Sequence, residues 1–237
     1  VYVTDGISTY WGQTDKYNNV PDGYYYMGNW AFTGNNRGYW GLYDNTIDEF
    51  WWLRDEVGWY RSKVLVRWPY ETWPHSHGNT VDVPSGWEWH RGMALHEYAH
   101  CIHWEARGGS WPPGGGPSTH YPDSESSGGF ALVEGWAEFM QCAVDNIPSG
   151  TGWGSLETTV YADSPFGHGD YGDWDGNIVE GAVAQVFWDI FDGTSSLDYP
   201  SWDSTNYGDY VSNEFGKLWN IFLNYDPNDI DSFWTQW

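Results

Sequence analysis

A His-Glu-x-x-His run near the middle of the chain is the first group of residues that could do chemistry. His96 and His100 are four positions apart in a stretch without a helix breaker, so a helix would present both imidazoles on one face. Two neutral imidazoles at this spacing form half of a tetrahedral zinc site, and Glu97 stands where a general base is needed. Two solvated histidines on a surface helix would give the same pattern, so other residues are needed to distinguish a zinc site from this alternative.

A catalytic zinc ion usually has three protein ligands and an open position, so a third ligand is required. His103 shares the helix face, but at ~1.5 Å rise per residue it would lie roughly 10 Å from His96 along the axis, too far for one ion. The metzincin pattern would need glycine at position 103 and histidine at 106, where the chain has His103 and Ala106. We therefore expect His103 to be a surface or second-turn histidine.

The next predicted helix offers another third ligand, Glu134, which is followed by Gly-Trp-Ala. With this string and the first motif, the sequence resembles the gluzincin metallopeptidases over about residues 85–145. In that group the third ligand is a glutamate on the following helix. The resemblance implies that His96, His100 and Glu134 bind Zn²⁺ and that Glu97 is the general base.

Two further glutamates are predicted to support the ligands from outside. In thermolysin-like gluzincins an acidic residue one turn beyond the ligand glutamate holds the first histidine, and Glu138 matches that place. Physical reasoning agrees, because a zinc-bound imidazole normally donates its other ring N–H to a carboxylate, and antiparallel helices would bring Glu138 to His96. The alternative is a solvated Glu134/Glu138 pair, in which like charges repel. Glu180 opens a string similar to one in secreted gluzincin-like proteins, and we expect it to cap a helix or to support a ligand.

The polar segment before the third strong helix could supply two more functions. Related enzymes use a tyrosine or histidine to stabilise the oxyanion, and His168 and Tyr171 are our candidates. Asp170, Asp173 and Asp175 form an oxygen-rich loop that could bind Ca²⁺, although it lacks the spacing of an EF-hand. An acidic turn that caps a helix is the alternative.

Hydrophobic periodicity predicts an α+β fold in one domain, residues 1–237. Short strands and turns are expected over 1–44 and strands over 63–67 and 80–83; helices are expected over 46–57, 86–107, 130–144 and 177–191, from 215, and after the cap Asp229. The lobe 1–107 would hold the strands and the first motif, and 108–237 would be mainly helical. Together with the resemblance, this implies a zincin-like metalloprotease with a small N-terminal sheet and an active-site helix pair around a cleft. Strand 64–67 could be the cleft-edge strand that pairs with a peptide, or an ordinary edge strand.

The chain is strongly acidic and rich in aromatic residues. Its 237 residues carry a net charge of −24, with 9 Lys+Arg against 33 Asp+Glu, and include 20 Trp and 18 Tyr. This charge argues against nucleic-acid partners, and no apolar stretch approaches the roughly 20 residues that cross a bilayer. The composition suits an extracellular protein; no signal peptide is visible, so we expect a leader to have been removed. Nothing in the sequence indicates the oligomeric state.

The two cysteines test the predicted helix pair. A lone pair in a secreted chain would by default form a disulfide. If the helices run antiparallel with Glu138 near His96, Cys101 and Cys142 are offset by roughly 12 Å along the axes. A disulfide needs Cα atoms within about 7 Å, so we predict two buried, unpaired thiols.

Together these features favour a secreted zinc-dependent endopeptidase that acts on protein or peptide substrates. One alternative is a glycoprotein-directed metallopeptidase whose exposed tryptophans stack on sugars. Another is a non-catalytic, metal-containing binding or surface module. The intact Glu97 argues against that last alternative, because a degenerate site would be expected to lose its base.

Overall fold

The computed structural model describes residues 2–4, 9–10, 37–150, 154–156, 175–192 and 214–237. Within these ranges the protein has a mixed α/β fold. The α-helices are α1 (Arg37–Val57), α2 (Arg91–Ala106), α3 (Gly128–Asp145), α4 (Glu180–Phe191), α5 (Phe215–Tyr225) and α6 (Ile230–Gln236). The strands are β1 (Tyr2–Thr4), β2 (Thr9–Tyr10), β3 (Leu65–Arg67), β4 (His75–His77) and β5 (Thr80–Asp82), and a 3-10 helix, Asp175–Ile178, precedes α4. No helix in these ranges has the length and hydropathy to cross a membrane.

The five strands form one sheet in the order β2-β1-β3-β5-β4. β1, β3 and β5 are parallel, while β2 and β4 are antiparallel to their neighbours at the two ends. β3 is therefore internal, and the prediction that strand 64–67 forms an edge is wrong. The edge strand beyond β5 is β4, which the sequence analysis missed because His-Ser-His contains no apolar residue and shows no hydrophobic alternation.

Two helices begin at other places than their capping patterns predict. α1 starts at Arg37, so Thr46 lies inside it and its hydroxyl donates to the Leu42 carbonyl oxygen at 2.8 Å. α2 starts at Arg91, because Glu88 turns its carboxylate to the Gly86 N–H at 2.6 Å instead of forming a capping box. Local side-chain bonds thus compete with helix initiation.

The N-terminal caps of α4 and α6 test two further predictions. The cap of α4 is Val179, so Asn177, the predicted cap, is outside the helix and bonds Asp231 instead. The cap of α6 is Asp229, as predicted, and its carboxylate accepts the Ser232 N–H at 2.7 Å.

Helices α2 and α3 form an antiparallel pair under one hydrophobic core. Arg91, at the start of α2, bonds Asp145 at the end of α3, with atoms 2.6 Å apart. The indole N–H of Trp136 in the middle of α3 donates to the Ala99 carbonyl oxygen at 3.3 Å.

Cys101 and Cys142 are buried and unpaired, which confirms the prediction from this geometry. Burial raises the pKa of Cys101 to about 12, so this thiol packs as a small neutral group.

Gly135 determines how closely α4 approaches α3. A Cβ atom at this position would lie 2.7 Å from the Glu180 carbonyl oxygen and 2.8 Å from the Val183 Cβ. Only glycine therefore allows the first turn of α4 to lie against α3. This contact brings Glu180 next to Glu134.

Candidate metal centre

Three side chains from the α2/α3 pair converge on one point. His96 Nε2 and His100 Nε2 are 3.2 Å apart, and Glu134 Oε2 lies 3.3 Å from the first and 3.1 Å from the second. A tetrahedral ion with bonds of about 2.0–2.2 Å keeps its ligand atoms roughly 3.3 Å apart. The three atoms therefore fit the coordination shell of one transition-metal ion.

One oxygen of the Glu134 carboxylate has no hydrogen-bond partner at this point. Its Oε2 atom is buried and makes no hydrogen bond, although it faces both ring nitrogens. Burial alone would lower the pKa of His100, but its interactions with Glu134, together with the charges of Glu97 and Glu180, raise this pKa to about 9. Burial likewise opposes the ionisation of Glu134, yet His100 and His96 hold its pKa well below the usual range. The cluster thus attracts positive charge strongly, and a bound cation would supply it.

The three atoms lie in the wall of a cleft of ≈ 700 Å³, which also contains Glu97. Glu97 is 8% exposed, so its carboxylate is shielded but reaches the cleft from the same helix as the two histidines. The cleft is also lined by Trp73 to Ser76, at and before β4, and by residues between Trp111 and Tyr121. The arrangement can hold a metal ion, a water molecule and a proton acceptor in one place.

His120 is a cleft residue that the sequence analysis missed. Its Nδ1 atom lies 2.9–3.0 Å from both carboxylate oxygens of Glu180, which is 1% exposed. This hydrogen bond raises the pKa of His120. The residue lies in a Gly/Pro/Ser-rich segment without periodicity, and no spacing relates it to Glu180. Only its type, a lone histidine in such a segment, could have drawn attention to it.

The two predicted supporting glutamates differ from expectation. Glu138 is buried on α3, but its Oε2 makes no hydrogen bond, and in the described part of the chain none joins it to His96. Burial, and then the charges of Glu180 and Glu134, raise the pKa of Glu138 well above its usual range, which favours its neutral form. For Glu180, the cap alternative is wrong, because Val179 caps α4; its carboxylate accepts a hydrogen bond from His120, and support of a ligand stays a prediction.

One alternative placed His103 at the surface, and this prediction is wrong. His103 is fully buried and packs edge-on against Phe222, with ring centroids 5.0 Å apart, and against Trp111 at 6.2 Å. Burial lowers the pKa of its ring well below the usual value, so it is neutral. It does not join the three-residue cluster, in agreement with its exclusion as a ligand.

The remaining predicted site residues cannot be placed. His168, Tyr171, Asp170 and Asp173 lie outside the described residues, and of Asp175 only the backbone is described, at the start of the 3-10 helix. The predicted oxyanion donors and calcium loop stay predictions.

Comparison with known proteins gives one family. No curated protein matches the chain. The sequence model of the Mycolysin C-terminal domain matches residues 52–237, a range that includes α2, α3, α4 and the whole three-residue cluster. The name links the chain to a protease family and does not itself name a catalytic centre. The chain belongs to the Mycolysin C-terminal domain family.

Proposed function

We propose that the protein is a zinc-dependent endopeptidase of the gluzincin type, with a zincin-like fold. The observation that carries this proposal is the convergence of two imidazole nitrogens and one carboxylate oxygen, 3.1–3.3 Å apart, beside Glu97 in one cleft. Two imidazoles favour zinc over magnesium or calcium, which prefer oxygen ligands. His96, His100 and Glu134 would hold the ion.

The chain's own residues supply the proton transfers. When bound, zinc would polarise a carbonyl oxygen and make water more acidic. Glu97 accepts the proton of the attacking water and delivers it to the leaving amine nitrogen. Its position next to His96 on a rigid helix keeps it beside the reacting atoms throughout.

His120 is suited to stabilise the negative charge that develops on the carbonyl oxygen. Glu180 accepts its Nδ1–H and raises the pKa of His120, which favours the imidazolium form, and in that form Nε2–H is a second donor available to the cleft. A hydrogen-bond donor held in place before the reaction stabilises such charge most effectively. His168 and Tyr171 remain candidates for a second donor.

A peptide is the substrate that the cleft favours. β4 is the last strand on its side of the described sheet, and His75 in this strand lines the cleft. An extended peptide could therefore add to β4 by main-chain hydrogen bonds. An extracellular location is part of the proposal and is supported by the acidic, tryptophan-rich composition.

Two alternatives have an observation in their favour. Trp73 is 70% exposed and Tyr121 is 66% exposed, and both line the cleft, as a glycoprotein-directed peptidase would need to stack on sugar rings. The matched family is named for a C-terminal domain and not for a catalytic one, which favours a non-catalytic metal-containing module.

The test is peptide cleavage by the Glu97→Gln variant. We expect this variant to keep its zinc and to lose activity by about 10²-fold or more, because it cannot accept the proton. Zinc content is measured by metal analysis, and activity on a peptide library with and without glycans. Glu56→Gln, an exposed change on α1, is the matched control and should behave as the wild type. A wild-type protein that binds zinc but cleaves no peptide would support the alternative of a non-catalytic module. Cleavage of glycopeptides alone would support the glycoprotein-directed enzyme.

A further inference from the structure

We propose a second metal site at the edge of the sheet, formed by His75, His77 and Asp82, which binds Zn²⁺ or a similar transition-metal ion. These residues share no ligand with the cluster on α2 and α3. The binding proposal therefore does not depend on the proposed peptidase activity.

The strand geometry places the three side chains together. Side chains alternate along a strand, so His75 and His77 lie on the same face of β4. The antiparallel register pairs His75 directly with Asp82 of β5. Side chains in directly opposed positions are close enough to share one ligand.

The distances match those of the cluster on the helices. Asp82 Oδ2 lies 3.4 Å from His75 Nε2 and 3.0 Å from His77 Nε2, and the two imidazole rings have centroids 5.6 Å apart. Ligand atoms around a tetrahedral ion are roughly 3.3 Å apart. In each cluster, one carboxylate oxygen thus faces two imidazole nitrogens: Asp82 Oδ2 in the sheet and Glu134 Oε2 on the helices.

The hydrogen bonding of His75 favours a cation at this point. Its Nδ1 atom lies 3.4 Å from the Trp73 carbonyl oxygen, the kind of backbone partner that orients metal-binding histidines. In the neutral tautomer that donates to this carbonyl, the Nε2 lone pair would face the Asp82 carboxylate. A cation between the two atoms removes their repulsion.

The site is anchored at its base and open above. Asp82 has a side chain that is 1% exposed, whereas those of His75 and His77 are 48% and 53% exposed. Water can complete the coordination shell from the open side. Two imidazoles and one carboxylate select zinc and its neighbours in the transition series over calcium and magnesium.

Arg67 competes with the ion for the same carboxylate. Its guanidinium donates to both Asp82 oxygens, and its Nη2 atom is 3.0 Å from His77 Nε2. For the ion to bind, Arg67 must keep one oxygen and release Oδ2. We therefore expect weaker binding here than on the helices.

Occupation of this site bears on the cleft. His75 lines the cleft wall, so a bound ion would fix β4 against β5 at the place where we propose that a peptide pairs. This consequence rests on the proposed function. Metal binding does not.

The test is a calorimetric zinc titration of the full chain after removal of metal by a chelator. The wild type should bind two ions, the second at least about tenfold more weakly because of Arg67. His77→Ala should bind only one. His90→Ala changes an exposed histidine outside both clusters and should still bind two.

A second measurement needs no variant. In NMR spectra of the wild type, the imidazole signals of His75 and His77 should shift only after the first equivalent of zinc, while that of His90 stays unchanged. A His77→Ala variant that binds as many ions as the wild type would overturn the site, as would His75 and His77 signals that zinc leaves unshifted throughout the titration. None of these outcomes depends on peptidase activity, so failure of the proposed function remains distinguishable.

Discussion

The helix cluster and the strand cluster bring the same chemical groups together on different scaffolds. In the first, His96 and His100 are one helical turn apart and meet Glu134 from the neighbouring helix. In the second, His75 and His77 alternate along a strand and meet Asp82 from the neighbouring strand. Both present two imidazole nitrogens to one carboxylate oxygen at 3.0–3.4 Å.

The clusters differ in what surrounds the carboxylate. Glu134 has two imidazoles beside it and is shielded from water, and its Oε2 makes no hydrogen bond. Asp82 is more deeply buried but already has a guanidinium on both oxygens. The geometry of the ligand atoms alone therefore does not set metal affinity. A fixed positive charge beside the ligand decides how much of the attraction is left for an ion.

The largest expected effect separates the two clusters directly. Glu134→Ala removes the carboxylate ligand of the helix cluster, so the protein should lose the tight zinc ion and essentially all peptidase activity. The strand cluster should keep its weaker ion. Calorimetric titration and metal analysis measure the ions, and cleavage of a fluorogenic peptide measures activity. Glu56→Ala is the matched control, and unchanged tight binding in Glu134→Ala would contradict the ligand assignment.

The next effect tests whether the helix cluster is part of a reaction site. His120→Phe keeps an aromatic ring but removes the donor, and we expect kcat to fall by about 10²–10³-fold with little change in KM or zinc content. Glu180→Gln can still accept the Nδ1–H, so its effect should be smaller. The kcat and KM of both variants are compared with those of His90→Phe. Should His120→Phe raise KM alone, His120 would be a substrate-binding residue and not an oxyanion donor.

The sequence indicated the helix cluster because helical periodicity makes its ligands visible. His96 and His100 are four residues apart, and Glu134 lies in a recognisable string on the next helix. The antiparallel pair and the unpaired Cys101 and Cys142 followed from that geometry and are found in the structure. The local spacing of the two histidines, together with the resemblance to gluzincins that indicated Glu134, was sufficient to predict this site.

The strand cluster and His120 depend on contacts that no local pattern encodes. A His-x-His pair is too short to predict a strand, and its partner Asp82 is defined only by the register of β4 on β5. His120 meets Glu180 because Gly135 lets α4 lie against α3. Glu138 was predicted from the resemblance to gluzincins and from the antiparallel helices, but burial raises its pKa, and no hydrogen bond joins it to His96 in the described part of the chain.

The smallest expected effect tests the guanidinium that distinguishes the two clusters. In Arg67→Gln the positive charge beside His77 is gone, and the Asp82 oxygen that it held becomes free for the ion. We expect the second zinc ion to bind about tenfold more tightly, since removing a unit charge a few ångströms from a divalent ion is worth at least 1–2 kcal/mol near a protein surface. Without metal the variant should be less stable, because Asp82 loses its main partner while buried. Zinc should then raise its Tm by more than that of the wild type, since an ion that binds only the folded state stabilises it. Calorimetry and thermal unfolding with and without zinc measure both quantities, and Arg54→Gln, which removes an arginine paired with the exposed Asp55, is the control. If Arg67→Gln bound the second ion as weakly as the wild type, Arg67 would not be what separates the strand cluster from the helix cluster.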